Sequence, residues 1–258
     1  MELLDHRGKK LEFSTFRYSG GEIAMHSIQD IAEVKVFLFN SDRVMEMLKL
    51  LDALENKVTL HIHYLPYARE DRESEEYGGC GLRMMINLLK AYQDKLLRIT
   101  ILDAHNIENV KKWAKRLSFE TEIVNYYPDR SFSELLGEEV IFVSPDKGAE
   151  ERVRNAYEKY RGDKELLSLR KIRVNDRVVH ISDTEMETVE GKTVVVVDDI
   201  CDGGNTFVSL YESLRVYNPK SVNLYVTYGI FRGEADKKLK EIGYERVFGL
   251  IDMKGTKQ

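Results

Sequence analysis

The stretch VVVVDDICDGGNTF (residues 194–207) decides the fold of this chain. Four consecutive valines form an apolar run without the alternation of a half-exposed strand. Such a run is typical of a strand that is buried on both faces of a parallel sheet. Asp198 and Asp199 follow directly, so they are predicted to lie at the carboxyl end of that strand. Because ligands bind at this edge of open α/β sheets, the stretch predicts a binding site as well as a strand.

The residues after the two aspartates suit a phosphate. Gly203 and Gly204 permit backbone conformations that bring amide groups close to a ligand. Asn205 or Thr206 begins the next helix, whose N-terminus favours an anion. Carboxylates accept hydrogen bonds from hydroxyls, so ribose 5-phosphate matches both features. The competing interpretation is a buried strand that ends in a capped turn, but two adjacent acids without partners would be costly there.

Composition and charge exclude several classes of function. The chain has 258 residues with 39 basic and 44 acidic side chains, and the net charge of -5 argues against bulk nucleic-acid binding. No apolar run approaches the roughly 18 residues of a membrane span, and the charged start contains no secretory signal. Cys80 and Cys201 lie far apart, as expected of reduced thiols. We therefore expect a cytoplasmic globular protein without a nucleic-acid or membrane partner.

Strand-like and helix-like segments alternate along the chain in two sets. In the first set, strands at 34–39, 57–65, 97–105 and 121–127 alternate with helices at 41–56, 79–95 and 110–118. In the second, strands at 139–146, 193–199 and 221–229 alternate with helices at 148–160, 205–216 and 233–242. This alternation predicts parallel sheets covered by helices. The sets meet around 125–138, so we predict an α/β protein with two domains, 1–125 and 126–258.

Five segments carry a family resemblance. VVVVDDICDGGNT resembles the ribose-phosphate binding loop of the type I phosphoribosyltransferase fold. The other four resemble, in chain order, motifs of the ribose-phosphate diphosphokinases, or PRPP synthetases: YLPYAREDR (64–72), LDAH (102–105), VSPDKGAEERV (143–153) and TYGIFRG (227–233). The resemblance implies two tandem type I phosphoribosyltransferase-like domains, each a mostly parallel sheet flanked by helices.

The resemblance also implies a reaction. Members of this family transfer the βγ-diphosphate of ATP to the anomeric hydroxyl of ribose 5-phosphate and release AMP. The site lies between the two domains of a subunit, and ATP is partly held by a loop of a neighbouring subunit. A homo-oligomer, either a dimer or a hexamer, is therefore expected.

The acceptor is assigned by this resemblance to the second domain. Asp198 and Asp199 match the pair that holds the ribose 2- and 3-hydroxyls, while the loop after them surrounds the phosphate. This agrees with the chemistry of the residues, since carboxylates accept from hydroxyls and amides donate to phosphate. The residues implied in ribose-phosphate binding are Asp146, Asp198, Asp199, Asp202, Gly203, Gly204, Asn205 and Thr206.

A metal cofactor is also implied. Diphosphate transfer requires Mg²⁺, which bridges phosphate oxygens, offsets charge and retains water ligands. His105, at the end of LDAH, and Asp146, in SPDKG, match family residues that lie near the metal. His105 also matches a histidine that contacts the ATP phosphates.

ATP is assigned by the resemblance to the first domain. Arg69 matches an ATP-contacting arginine, and a guanidinium suits a polyphosphate. Glu70 stands where the family commonly has glutamine. FRYSGGEI (16–23) matches a loop that grips adenine across a subunit interface, although Gly20 replaces an acid or amide. The residues implied in ATP binding are Tyr18, Glu22, Arg69, Glu70, Asp71 and His105.

The segment LRKIRVNDR (169–177) resembles the mobile catalytic loop of the family. Lys171 and Arg173 match its lysine and arginine, and with His105 they are the predicted catalytic residues. Positive charge brought to the transferring group would stabilise its transition state. An exposed basic loop without a catalytic role is the competing interpretation.

The sequence is compatible with more than one acceptor and more than one activity. The chain is shorter at both ends than the usual family pattern and resembles short forms found in bacteriophages. One branch of these resembles ADP-ribose pyrophosphate synthetases, which place the diphosphate on ADP-ribose in an NAD-rebuilding pathway. Gly203 replaces the usual threonine, which could open space at the phosphate. Two further alternatives are a phosphoribosyltransferase and a non-catalytic nucleotide-binding regulator.

Overall fold

The computed structural model describes residues 1–26, 28–73, 78–124, 139–159, 165–174, 177–182 and 186–254. The chain divides into two compact units, Met1–Asn125 (unit 1) and Tyr126–Gln258 (unit 2). Within the described residues, no helix is long and apolar enough to cross a membrane.

Unit 1 contains a mostly parallel sheet. Its strands in the order β2-β1-β5-β6-β7-β8 are Lys10–Leu11, Glu2–Leu4, Glu33–Phe37, Val58–Tyr64, Leu96–Leu102 and Glu120–Val124. The pairs from β5 to β8 are parallel, and β1 pairs antiparallel with both β2 and β5. A separate hairpin is formed by β3 (Thr15–Arg17) and β4 (Ile23–Met25).

The helices of unit 1 bury one face against the sheet. They are α1 (Ser41–Ala53), α2 (Gly81–Ala91) and α3 (Ile107–Ala114). In α1, Val44, Met47 and Leu51 recur at helical spacing and join the same core as Leu60 and its neighbours on β6. The alternating apolar residues of β6 face this core because successive side chains of a strand point to opposite faces.

Unit 2 also contains a mostly parallel sheet. Its strands in the order β11-β10-β9-β12-β13-β14 are Arg177–Ser182, Glu165–Val174, Val140–Ser144, Thr193–Cys201, Ser221–Gly229 and Arg246–Asp252. All neighbouring pairs are parallel except β10 and β11. The helices are α4 (Glu150–Lys159), α5 (Asn205–Leu214) and α6 (Ala235–Ile242). The α/β class and the two mostly parallel sheets predicted from the sequence are confirmed.

The central strand β12 is buried on both faces. Val194 and Val196 point into a core shared with Leu210 of α5, whereas Val195 and Val197 point into a second core with Val153 of α4. All four valines are at most 1% exposed. The unbroken valine run thus reflects helices on both sides of the sheet.

The structure corrects one predicted loop. Residues 169–174, predicted as part of a mobile loop, continue β10 and pair antiparallel with β11, with Leu169 opposite Ser182 and Lys171 opposite His180. Leu167 and Leu169 are buried, so alternate side chains anchor the segment to the sheet. Residues 175 and 176 lie outside the described part of the structure. The basic residues of the segment suggested a loop, so the sequence analysis did not predict a strand here.

Several short elements also differ from the sequence prediction. Strands β1 to β4 were not predicted because runs of two or three residues are too short to display a period. Strand β7 ends at Leu102 rather than at 105, so the predicted strand end at His105 is wrong. Strand β14, with its alternating exposure, lies at the edge of the sheet and was also not predicted.

Candidate active site

The two aspartates of the opening stretch lie at the carboxyl end of β12. The side chain of Asp198 is 15% exposed, whereas Asp199 is 4% exposed. The backbone N–H of Asp199 donates to Oδ1 of Asp198 at 2.9 Å. The same oxygen lies 3.5 Å from Nη1 of Arg152, a buried side chain of α4. Arg152 is a site residue that the sequence analysis missed, although it stands inside the quoted motif VSPDKGAEERV.

Negative charge at this pair is incompletely offset. Burial raises the pKa of Asp198 well above its usual range, Asp199 and Asp146 raise that pKa further, and Arg152 opposes them. A carboxylate in such surroundings is stabilised by hydroxyl donors or by a cation. The pair is therefore suited to neighbouring sugar hydroxyls.

The loop after β12 presents backbone donors. Gly204 has a left-handed φ of 78° and precedes the first residue of α5, and no side chain caps the helix. The first amides of a helix have no intrahelical acceptor, so they are available to an anion. A Cβ at Gly204 would lie 3.3 Å from Cβ of Ala235, so glycine also lets α5 pack against α6. Asn205 begins the helix, which confirms the first of the two predicted starting positions, and Thr206 follows in its first turn.

A second arginine, also missed by the sequence analysis, lies beside this loop. Nε of Arg232 donates to Oδ1 of Asp202 at 3.1 Å, and its backbone N–H donates to the carbonyl of Asp202 at 3.0 Å. A Cβ built on Gly203 would have Nη2 of Arg232 as its nearest neighbour, at 3.5 Å. The guanidinium thus stands next to the predicted phosphate loop. Its only sequence signal was its place in TYGIFRG, and it lies 30 residues after Asp202 in the chain.

Asp146 and Lys171 form an ion pair near the aspartates. Nζ of Lys171 donates to Oδ2 of Asp146 at 2.7 Å, and the N–H of Gly148 donates to Oδ1 at 3.0 Å. Asp146 follows β9, the neighbour of β12, so the parallel sheet brings its carboxyl end to the same edge as Asp198. Arg173 lies on the same strand as Lys171, but its side chain is outside the described part of the structure.

The acidic groups of unit 2 fit a magnesium ion that is bound partly through substrate. In the described residues there is no group of three or more His, Cys, Asp or Glu side chains that could hold a metal by themselves. Mg²⁺ is commonly held by one or two carboxylates, waters and substrate phosphates. The raised pKa of Asp198, caused chiefly by burial and by Asp199, indicates carboxyl oxygens that favour a cation. Asp198 and Asp146 are the hard oxygen donors best suited to such an ion.

In unit 1, three of the predicted ATP-binding residues lie in the turn after β6. Arg69 and Glu70 are exposed, whereas Oδ2 of Asp71 accepts from Nδ2 of Asn109 on α3 at 2.8 Å. The backbone N–H of Leu82, in the first turn of α2, donates to the carbonyl of Glu70 at 3.1 Å. Gly81 allows this approach, since a Cβ there would lie 2.6 Å from Oε2 of Glu70. Glu70 also lines a cavity of about 540 Å³ with residues of the first turns of α2.

His105 lies in the turn between β7 and α3 and is exposed. The preceding Asp103 is buried and has a positive φ of 37°, and its N–H donates to the carbonyl of Val124 at 2.9 Å. The neighbouring Asn106 caps α3 through its side chain. Because β6 and β7 are neighbouring parallel strands, His105 lies at the same sheet edge as the turn that contains Arg69.

Tyr18 and Glu22 flank the turn of the β3–β4 hairpin. The N–H of Tyr18 donates to the carbonyl of Glu22 at 2.9 Å, and Tyr18 is 59% exposed. The Glu22 carboxylate lies over Gly20, where a Cβ would be 2.6 Å from Oε2. The hairpin is held to α1 by an ion pair between Arg17 and Asp42. Both predicted adenine-side residues thus belong to one ordered turn.

Fold and site together define a class of protein. In unit 2, the central strand of a mostly parallel sheet carries two aspartates near its carboxyl end and is followed by a glycine loop. The family described as "Phosphoribosyl transferase domain" matches residues 99–257. The overall fold is that of a solved structure titled as phosphoribosylpyrophosphate synthetase from Mycobacterium smegmatis, with a TM-score of 0.73 and 22% identity over 92% of this chain and 78% of that one.

Curated relatives narrow the class to one family. A ribose-phosphate pyrophosphokinase of Thermococcus kodakarensis is 30% identical over 241 residues, which cover 89% of this chain and 82% of the relative. That of Pyrococcus furiosus is 32% identical over 205 residues, covering 77% and 69%. The chain belongs to the ribose-phosphate pyrophosphokinase family and is an enzyme of the diphosphotransferase type.

Proposed function

We propose that this protein transfers the βγ-diphosphate of ATP to the anomeric hydroxyl of ribose 5-phosphate, giving phosphoribosyl diphosphate (PRPP) and AMP. The similarity to ribose-phosphate pyrophosphokinases covers 89% of the chain and thus both units. A phosphoribosyltransferase would require only unit 2. The breadth of the similarity therefore favours the diphosphokinase over that alternative. The ion pair of Lys171 with Asp146 favours catalysis over a regulator without it.

The single observation that carries the proposal is the arrangement at the carboxyl end of β12. Asp198 and Asp199 supply acceptors for the ribose hydroxyls. The uncapped N-terminus of α5 supplies donors for the 5-phosphate. Arg232 adds a guanidinium beside Gly203, and guanidinium groups bind phosphate through several N–H donors.

The chemistry of transfer is assigned to the groups near this acceptor site. When bound, Mg²⁺ offsets the charge of the diphosphate and orients its oxygens. Asp146 and Asp198 would contribute ligands to that ion. Lys171, together with Arg173, would stabilise the charge of the transferring group. In this step the anomeric oxygen bonds to the β-phosphorus, the bond from the β-phosphorus to the bridging oxygen breaks so that AMP leaves with that oxygen, and the hydroxyl proton is released to water.

In this proposal, unit 1 binds ATP, the donor of the diphosphate. Arg69 and His105 would contact the ATP phosphates, with Glu70 and Asp71 beside them. Tyr18 and Glu22 would hold the adenine of a neighbouring subunit, and the exposed rings of Phe16 and Tyr18 suit such a contact. A homo-oligomer is part of this proposal, and sedimentation velocity with and without ATP tests it.

The reaction is tested directly by incubating the protein with ATP, Mg²⁺ and ribose 5-phosphate. Phosphorus NMR and mass spectrometry are expected to detect equal amounts of AMP and PRPP. Formation of ADP, or of no phosphorylated product, would contradict the proposal. The doubly substituted D198N/D199N protein is the matched negative control, because it keeps the size of both side chains.

A second acceptor, ADP-ribose, is favoured by the surroundings of Gly203. Apart from Arg232 and the adjoining residues Asp202 and Gly204, no heavy atom of the described residues lies within 4 Å of a Cβ built at Gly203. The loop is therefore open on this side. The group attached to an esterified 5-phosphate could extend out of the site here, next to the guanidinium of Arg232. A competition assay with both acceptors at equal concentration tests this. R232K keeps the positive charge, and R232Q removes it while retaining a long polar side chain. If ADP-ribose neither reacts nor inhibits, ribose 5-phosphate is the acceptor.

A further inference from the structure

A buried histidine links the two halves of the acceptor site. His180 is 2% exposed and stands opposite Lys171 in the antiparallel pair of β10 and β11. Directly opposed residues of such a pair place their side chains on the same face of the sheet. His180 therefore shares a face with the lysine that binds Asp146.

Both ring nitrogens of His180 have partners on different elements. Nδ1 lies 3.0 Å from the carbonyl oxygen of Pro145, the residue before Asp146. Nε2 lies 3.2 Å from Oγ of Ser209 on α5. The backbone N–H of His180 donates to Oγ of Ser213, one turn further along the same helix, at 3.2 Å. One side chain thus connects the turn of Asp146 with the helix that begins in the phosphate loop.

The chemistry of the partners fixes the direction of these hydrogen bonds. A carbonyl oxygen only accepts, so Nδ1 carries the proton and donates to Pro145. The pKa of His180 is lowered, chiefly by burial and also by the charge of Lys171, against the opposing effects of the Pro145 and Thr206 carbonyls and of Asp146, which favours the neutral ring. In the tautomer that carries its proton on Nδ1, Nε2 is an acceptor. The single hydroxyl proton of Ser209 goes either to Nε2 or to the carbonyl of Thr206, which lies 2.9 Å away.

Apart from the ion pair with Lys171, the turn of Asp146 is held by short local bonds. Oγ of Ser144 donates to the carbonyl of Asp146 at 2.6 Å, and Gly148 donates to its side chain. These bonds shape the turn but do not connect it to α5. Within the described residues, the imidazole of His180 supplies a direct connection between them.

We infer that His180 is a positioning residue that sets the place of Asp146 and Lys171 relative to the phosphate-binding end of α5. This inference rests on the proposed function. The bond to Pro145 would serve the transfer step, because Asp146 and Lys171 act there. The bond to Ser209 would serve binding of the acceptor, because Ser209 lies one turn from the phosphate loop.

Two isosteric substitutions separate the two bonds. Asparagine places an amide N–H near the position of Nδ1, so H180N keeps the bond to Pro145 and loses the one to Ser209. Glutamine reaches the position of Nε2, so H180Q keeps the bond to Ser209 and loses the one to Pro145. A lost hydrogen bond of this kind corresponds to a change of up to about tenfold.

The expected result is a split between binding and turnover. H180N should weaken ribose 5-phosphate binding by about tenfold with nearly unchanged kcat, and H180Q should lower kcat by about tenfold with nearly unchanged affinity. S213A is the control, since it removes a contact between β11 and α5 without altering the ring. Thermal unfolding verifies that each variant is folded.

Equal losses of affinity and kcat in H180N and H180Q, or wild-type values in both, would overturn the inference. NMR of isotope-labelled histidine gives a readout without turnover: a proton on Nδ1 supports the assignment, and a neutral ring protonated on Nε2 overturns it. Product formation by the wild-type protein tests the proposed function separately. Acceptor affinities measured by calorimetry test His180 even if no product forms.

Discussion

At the scale of single residues, Asp198 occupies a position that favours ligand binding and lowers the stability of the fold. Burial and the charge of Asp199 raise the pKa of Asp198, so its ionised form opposes folding. D198N should therefore keep or raise the unfolding temperature, while each lost charged hydrogen bond weakens acceptor binding by about 1.5–3 kcal/mol. Calorimetry and thermal unfolding check both parts. D252N alters an exposed aspartate in the edge strand β14 of the same sheet and should leave affinity unchanged.

Lys171 is expected to act mainly in the transition state. Its ammonium group is bound to Asp146 at 2.7 Å and is suited to developing charge on the transferring diphosphoryl group. K171A should lower kcat by about a hundredfold or more, with a much smaller change in ribose 5-phosphate affinity. K220A, at the exposed amino end of β13, is the control. Near-normal turnover of K171A would refute the role.

Cys201 makes the stability of the protein depend on alkaline pH. Burial, aided by Asp198, Asp202 and Asp236, raises the pKa of its thiol from 9.0 to about 12. The folded state keeps a proton that the unfolded state releases in this range. The free energy of unfolding should therefore fall as the pH rises from 9.0 to about 12, by an amount on the order of 1 kcal/mol per pH unit.

Denaturant unfolding across this pH range measures the effect. C201A should have a shallower pH dependence, because the titrating group is gone. Tyr244, whose pKa is also raised chiefly by burial and further by Cys201 and Tyr211, titrates in both proteins, so C201A retains part of the pH dependence. Parallel pH dependences of the wild type and C201A would exclude the thiol as the cause.

At the scale of elements, the start of α5 depends on one glycine of the adjacent pair. Gly204 has a left-handed φ of 78°, and a Cβ there would approach Ala235 at 3.3 Å. G204A should cost about 1 kcal/mol or more in stability and raise the KM for ribose 5-phosphate. G203A, with a φ outside the left-handed region and its nearest contact at 3.5 Å, should fold normally. Equal stability of the two variants would contradict this assignment.

At the scale of the whole molecule, the two units should respond to different ligands. Ribose 5-phosphate is expected to slow hydrogen exchange of amides 202–208 in unit 2. A non-hydrolysable ATP analogue with Mg²⁺ is expected to slow exchange of amides 69–73 in unit 1. Mass spectrometry of proteolytic fragments measures both, because ligand binding stabilises the segments it contacts. Protection of 202–208 by the ATP analogue alone would contradict the division of substrates between the units.

Much of the fold followed from local pattern. The valine run of β12 predicted a strand with two covered faces, and its two faces do enter separate cores. The antiparallel hairpin of β10 and β11 was concealed because the basic residues around Lys171 resemble a loop when only their charges are considered. The residue that pairs with Lys171, His180, lies on the next strand, and local sequence does not reveal which segment provides it.

The sequence by itself determined the α/β class, the strand that carries Asp198 and Asp199 near its carboxyl end, and the glycine loop that precedes α5. These features depend on residues that are neighbours in the chain, so their periodicity and order are readable. Only the tertiary structure decided that Arg152, His180 and Arg232 join this site. His180 and Arg232 lie 35 and 30 residues from Pro145 and Asp202, their respective contacts. The antiparallel pairing of β10 with β11 places His180, and the parallel pairing of β12 with β13 places Arg232. The sheet order that does so is set by packing of the whole unit.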